Sequence, residues 1–159
     1  MMKRNGFTLI ELMVSVAIMS ILVAISMPQY TKYITRSNRI AMQADLMQIA
    51  SALERTKAVQ LTYTGADLTS ATIYGSSTYP KGSTGTKVLY NLVLGPANAS
   101  TAPTTVAALS TNWEVSAIPA NKQAGDGLMK LNSLGQSCWN KGTDSSCDIT
   151  LSTQSWRNR

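Results

Sequence analysis

KRNGFTLIELMVSVAIMSILVAISMP, residues 3–28, is the stretch that decides how the chain is built. Two cations and a glycine lead into residues 7–27, which hold a single charge, Glu11. As a helix rising 1.5 Å per residue, that run extends roughly 31 Å, against about 30 Å of bilayer hydrocarbon. Lys3 and Arg4 keep the amino terminus on the cytoplasmic side by the positive-inside rule, so everything after Pro28 lies across the membrane. A secretory signal peptide is one alternative, with Ala24-Ile25-Ser26 as a small-x-small cleavage pattern. The run is longer than a usual signal core, however, and a plain signal anchor is the stronger of the two simple readings. Neither accounts for Glu11. A carboxylate inside a lipid-embedded helix is costly and wants a cation, and the run contains no Lys or Arg.

Composition narrows the rest. The 159 residues allow one globular domain beside the apolar segment. Charged residues make up 14%, against about 25% in an average domain, and Ser, Thr, Gly and Asn replace them after Leu61. The net charge of +6 is spread thinly and reads mainly as solubility. No histidine is present, which removes the commonest general base and metal ligand together with any Ser-His or Cys-His pair. No glycine-rich phosphate loop appears, and two cysteines cannot complete a zinc site. The chain is therefore expected to be no enzyme, with no catalytic residues, no metal and no cofactor.

Beyond the apolar run, Pro28 lacks an amide donor and opposes the carbonyl of Ala24, so a kink or local loosening is expected there. Helical periodicity resumes after it. Met42, Leu46, Ile49, Ala50 and Leu53 form an apolar stripe suited to a domain core, and Lys32, Arg36, Arg39 and Gln43 form a polar one. The helix is predicted to end near Val59. A long Thr/Ser/Gly/Tyr-rich connection follows, with a short element around residues 66–73 and the breaker pair Tyr79-Pro80. Strands are predicted over residues 88–94, 113–118 and 128–132, with a fourth around 148–152. Consecutive strands without an intervening helix favour an antiparallel sheet covered by the helix. Cys138 and Cys147 lie on the exported side, where a structural disulfide is the expected state.

The residues Lys3-Arg4-Asn5-Gly6-Phe7-Thr8-Leu9-Ile10-Glu11-Leu12 resemble the leader and mature start of type IV pilins and pseudopilins. Leader, glycine, aromatic residue, glutamate and apolar run coincide. The resemblance implies cleavage between Gly6 and Phe7 by a prepilin peptidase and N-methylation of Phe7. It also implies the missing cation: Glu11 of an incoming subunit would face the terminal amine of Phe7 on a neighbour, fixing register.

Further patches are similar to PilE-type minor pilins, in order: Arg36-Ser37-Asn38-Arg39, Gln43-Ala44-Asp45-Leu46, Leu53-Glu54-Arg55, Leu89-Tyr90-Asn91-Leu92, Val115-Ser116-Ala117-Ile118-Pro119 and Leu131-Asn132-Ser133-Leu134-Gly135. That family usually carries one cysteine before the third strand and another beside a tryptophan near the end. Here Asp126-Gly127 and Gln154-Ser155-Trp156 occupy those regions, and Cys138 and Cys147 enclose a smaller loop.

The likeness implies an α+β pilin ladle, a long amino-terminal helix packed on a four-stranded antiparallel sheet. Residues 1–6 would be the leader, 7–27 the membrane and filament-core half of the helix, and 28–159 the globular domain with the helix's second half, 28–59. The implied function is a minor subunit of a type IV pilus, supporting pilus biogenesis, twitching motility, adhesion and DNA uptake. The implied partners are other pilins, the prepilin peptidase, the inner-membrane assembly platform and the membrane itself. The subunit would wait in the inner membrane with its domain in the periplasm and end in the extracellular filament. A major pilin, a secretion pseudopilin and a DNA-receptor pilin are the alternatives. For the last, Lys130, Lys141, Arg157 and Arg159 are the candidate DNA contacts, although a solvated tail is the preferred reading of them. Asn98-Ala99-Ser100 matches a weak glycosylation pattern.

Overall fold

A computed structural model describes residues 7–96 and 111–156. The expected cleavage glycine Gly6, the Asn98-Ala99-Ser100 pattern, Arg157 and Arg159 lie outside them. One helix, α1 (Leu9–Gln60), is followed by five strands: β1 (Thr78–Tyr79), β2 (Tyr90–Gly95), β3 (Glu114–Pro119), β4 (Met129–Asn132) and β5 (Ser137–Trp139). The chain divides into two compact units, Met1–Ser37 and Asn38–Arg159.

In the first unit every described residue of α1 from Leu9 to Ile34 is exposed, and the helix contains a window apolar and long enough to cross a membrane. Such a surface is satisfied by lipid or by other helices, not by water. Polar side chains within it turn inward to their own backbone: the hydroxyls of Ser15, Ser20 and Ser26 donate to the carbonyls of Glu11, Val16 and Leu22. Helical structure continues through Pro28, the expected kink site.

The second unit begins inside α1. Met42, Leu46, Ile49 and Leu53, four of the five stripe residues, are fully buried, and Ala50 packs beside them. The helix stops one residue beyond the expected end. Leu61 adopts a left-handed conformation (φ 61°) and its amide donates to the Lys57 carbonyl, closing the last turn.

The sheet runs β1-β2-β3-β4-β5, antiparallel throughout. Register places Leu92 opposite Ala117, Leu94 opposite Val115, and Ala117 opposite Met129, so the pleat turns one continuous apolar face onto the helix stripe. The opposite face carries a smaller cluster of Leu128, Cys138, Cys147 and Ile149, with Ile118 against it. Cys138 and Cys147 form the expected disulfide within that cluster.

The sheet has five strands where four were expected, and two of them lie elsewhere than predicted. Residues 148–151 do not form a strand: the Asp148 carboxylate accepts from the amide and hydroxyl of Thr150, a local turn that competes with extended pairing. The last strand is instead the short Ser137–Trp139, paired with β4. The added first strand, Thr78–Tyr79, lies at the sheet edge directly before Pro80, where a missing amide proton costs no ladder bond. The element expected around 66–73 is a series of turns.

Candidate assembly site and domain surface

At the start of α1, Thr8 and Glu11 hold each other. The Thr8 amide and hydroxyl donate to one oxygen of the Glu11 carboxylate (2.9 and 2.6 Å), and the Glu11 amide donates back to the Thr8 hydroxyl (3.3 Å). Thr8 precedes the first helical residue and Glu11 stands three positions on, so the pair is a reciprocal capping box. Sequence reading missed this role, although Thr8-Leu9-Ile10-Glu11 spells its signature. The box offsets part of the desolvation of a carboxylate near lipid without neutralising it. Phe7, next to the box, is 81% exposed.

In the globular unit, charged groups on α1 clamp the rest of the fold. The Arg39 guanidinium pairs with the buried Asp126 carboxylate (2.8 Å) and stacks 3.8 Å over the Trp139 ring. Asp126 also accepts from the Tyr90 hydroxyl and the Gln123 amide, and its backbone carbonyl accepts from the Trp139 indole. Arg39 is therefore spent inside the fold, while Lys32 and Arg36 of the same predicted stripe remain exposed. Asp45 accepts from the Tyr74 hydroxyl, and Glu54 accepts from the Tyr63 hydroxyl and the Trp113 indole. Burial, and then the facing carboxylate, push the phenols of Tyr63, Tyr74 and Tyr90 above their usual range.

Of the four candidate DNA contacts, Lys130 and Lys141 lie among the described residues. Lys130 reaches across the outer sheet face to the buried Glu114 carboxylate (2.7 Å). Asp148 lies near enough for the Lys130 charge to help draw its carboxyl below the usual range, after the larger effect of the Thr150 hydrogen bonds. Lys141 is exposed in the loop closed by the disulfide. Among the described residues no group of three His, Cys, Asp or Glu side chains converges as metal ligands would.

Two family models match the chain. Residues 1–27 match the prokaryotic N-terminal methylation motif, and residues 28–138 match a model described as type IV minor pilin ComP, DNA uptake sequence receptor. Among curated relatives, a type IV major fimbrial protein FimA of Dichelobacter nodosus is 49% identical over 51 residues, 32% of this chain and 33% of the relative. A probable minor fimbrial protein of the same organism is 44% identical over 52 residues, 31% of this chain and 33% of the relative. A type IV major alpha-pilin of Moraxella bovis is 41% identical over 54 residues, 34% of each. The chain spans about a third of the length of these relatives.

Proposed function

The chain belongs to the type IV minor pilin family described as ComP, DNA uptake sequence receptor, and from that premise we propose that it is a minor subunit of a type IV pilus that displays a DNA-binding domain. The observation that carries the assembly half is the start of α1, residues 9–27, exposed throughout and carrying a single charge, Glu11, in its capped first turn. A surface of this kind moves from lipid into a bundle of like helices with little change in hydrophobic contact, so packing and pairing decide the exchange.

In this reading a prepilin peptidase cuts between Gly6 and Phe7, and Phe7 is N-methylated. The new amine on a seated subunit then meets Glu11 of the next. The pair recovers much of the cost of a carboxylate held in a dry core and fixes the axial register. Before assembly the subunit spans the inner membrane with its domain in the periplasm, and the assembly platform transfers it into the filament. Pro28 supplies the local loosening the helix needs where the apolar half gives way to the domain half. Pilus biogenesis, twitching motility, adhesion and DNA uptake are the processes served. The model that matches residues 28–138 is described as a minor pilin, which supports a minor over a major subunit.

Intact-mass and amino-terminal analysis of the protein from sheared filaments tests the reading. A mature chain beginning at methylated Phe7, substoichiometric to the main subunit and two mass units below the dithiol form, is expected. A chain retaining residues 1–6 in the filament, or one absent from pili and their assembly machinery, overturns it.

A further inference from the structure

Lys32 and Arg36 are exposed and make no ion pair among the described residues, whereas Arg39 of the same stripe is taken up by Asp126. Acids are also remote in sequence, since residues 12–44 hold no Asp or Glu. Tyr30 and Tyr33 beside these cations are 64% and 69% exposed. At roughly 100° per residue the order around the helix is Lys32, Arg36, Tyr33, Tyr30, within an arc of about 160°. Two cations and two amphipathic rings therefore share one side of α1, directly after the apolar run.

Depth fits that composition. With Met27 at the edge of the hydrocarbon, a rise of about 1.5 Å per residue puts Tyr30, Lys32 and Tyr33 roughly 4.5, 7.5 and 9 Å beyond it. The headgroup layer on each side is about 5–8 Å thick, and helix tilt brings the three residues closer still. Tyrosine suits that layer because its ring is apolar and its hydroxyl is wet. Arg36 starts roughly 13.5 Å out, but helical side chains lean toward the amino terminus, here the membrane side. Its apolar stem lets the guanidinium reach back to the headgroups. Once residues 1–6 are removed, no Lys or Arg precedes the apolar run, so these two are the basic side chains nearest to it.

Resting on the membrane-spanning reading above, we propose that Lys32 and Arg36 bind the phosphates of anionic phospholipid headgroups in the periplasmic leaflet, while Tyr30 and Tyr33 fix the depth of the helix there. A second copy of this segment would bring the same two cations and no acid, so like helices repel at this level where anionic lipid attracts. The contacts hold the waiting subunit at one height, and they break when it leaves the bilayer for the filament.

The test is electron paramagnetic resonance of spin-labelled phosphatidylglycerol and phosphatidylcholine with the full-length protein reconstituted in vesicles. It reads how strongly protein-bound lipid favours the anionic headgroup. The wild type should favour phosphatidylglycerol, and added salt should weaken the preference. Lys32→Gln/Arg36→Gln should lose at least about fivefold of it, the worth of one cation near an anionic surface. Lys32→Arg/Arg36→Lys should keep it, and so should Lys87→Gln/Lys122→Gln in the domain. An inserted Lys32→Gln/Arg36→Gln variant with unchanged preference overturns the proposal and leaves the spanning reading in place. If that variant is also depleted from sheared filaments, the two cations face a neighbouring subunit instead. An equal loss in Lys87→Gln/Lys122→Gln moves the lipid contact to the domain and overturns the proposal as well. A wild type released from the vesicles by alkaline carbonate does not span the bilayer, and the spanning reading then fails with the proposal.

Discussion

The two parts of α1 are one helix made of two materials. From Leu9 to Ile34 no described residue is buried, and its stability as a surface must come from outside the chain. From Asn38 onward the helix buries Met42, Leu46, Ile49 and Leu53 completely and binds its own sheet and loops through Arg39, Asp45 and Glu54. The first part is therefore a connector to be completed by partners, and the second a finished core. Substitutions should fall into two classes, those that alter assembly without altering the fold and those that do the reverse.

Glu11 gives the largest expected effect and the sharpest separation. Alanine removes both its charge and its part in the capping box, whereas Glu11→Gln keeps a residue compatible with the box and removes only the charge. Both variants should insert into the membrane normally, and both should be depleted at least about tenfold from sheared filaments if each lost charge pair weakens seating by about 1.4 kcal/mol. Quantitative immunoblotting of filament and membrane fractions reads the result. Normal incorporation of Glu11→Gln would leave the capping box as the sole role of this residue.

Next comes a matched pair of leucines. Leu46 is wholly enclosed, and Leu46→Ala should lower domain stability by about 2–5 kcal/mol through lost burial and a residual cavity. Leu22 is 59% exposed, and Leu22→Ala should leave the melting of the globular unit unchanged, with any effect confined to filament yield. Urea melts of the full chain in detergent distinguish them. Equal destabilisation would mean that the two parts of the helix fold as a single cooperative unit.

How much of this was legible in advance follows the same division. The apolar run, Glu11, the stripe from Met42 to Leu53 and the cores of β2, β3 and β4 were readable because each rests on local periodicity. Strand β5 was not: three residues between a turn and a disulfide loop present no period to detect, and register with β4 makes the strand. Asp126 was read only as a place where a related chain carries cysteine. Its service to Arg39 and Tyr90 depends on contacts 87 and 36 residues away, which sequence spacing does not encode. The Lys130 pair was hidden for a similar reason, since nothing near Lys130 in sequence announces that Glu114 will hold its amine.

The disulfide should matter less than the core. It closes a ring of ten residues, worth about 2.7 kcal/mol in the chain-entropy model. Replacing Cys138 and Cys147 together by serine should lower stability by up to that amount while membrane insertion through the first part of α1 stays intact. Asp144 still ties the loop to Gly125 and Gly127, so the loss should be partial, read as a lowered denaturation midpoint with the domain still folded.

The smallest effects concern the tyrosines. Tyr74 donates to Asp45 from a buried position, and Tyr74→Phe should cost about 1 kcal/mol, since Asp45 can turn to water. The phenols of Tyr63, Tyr74 and Tyr90 titrate higher in the folded chain than the ordinary value near 10, so the unfolded chain releases those protons first. Their contribution is complete below about pH 10 and declines as the pH rises through and beyond that value. Thermal melts from pH 7 to 11 should be flat and then fall, and Tyr74→Phe should fall less steeply because one of the linked protons is gone.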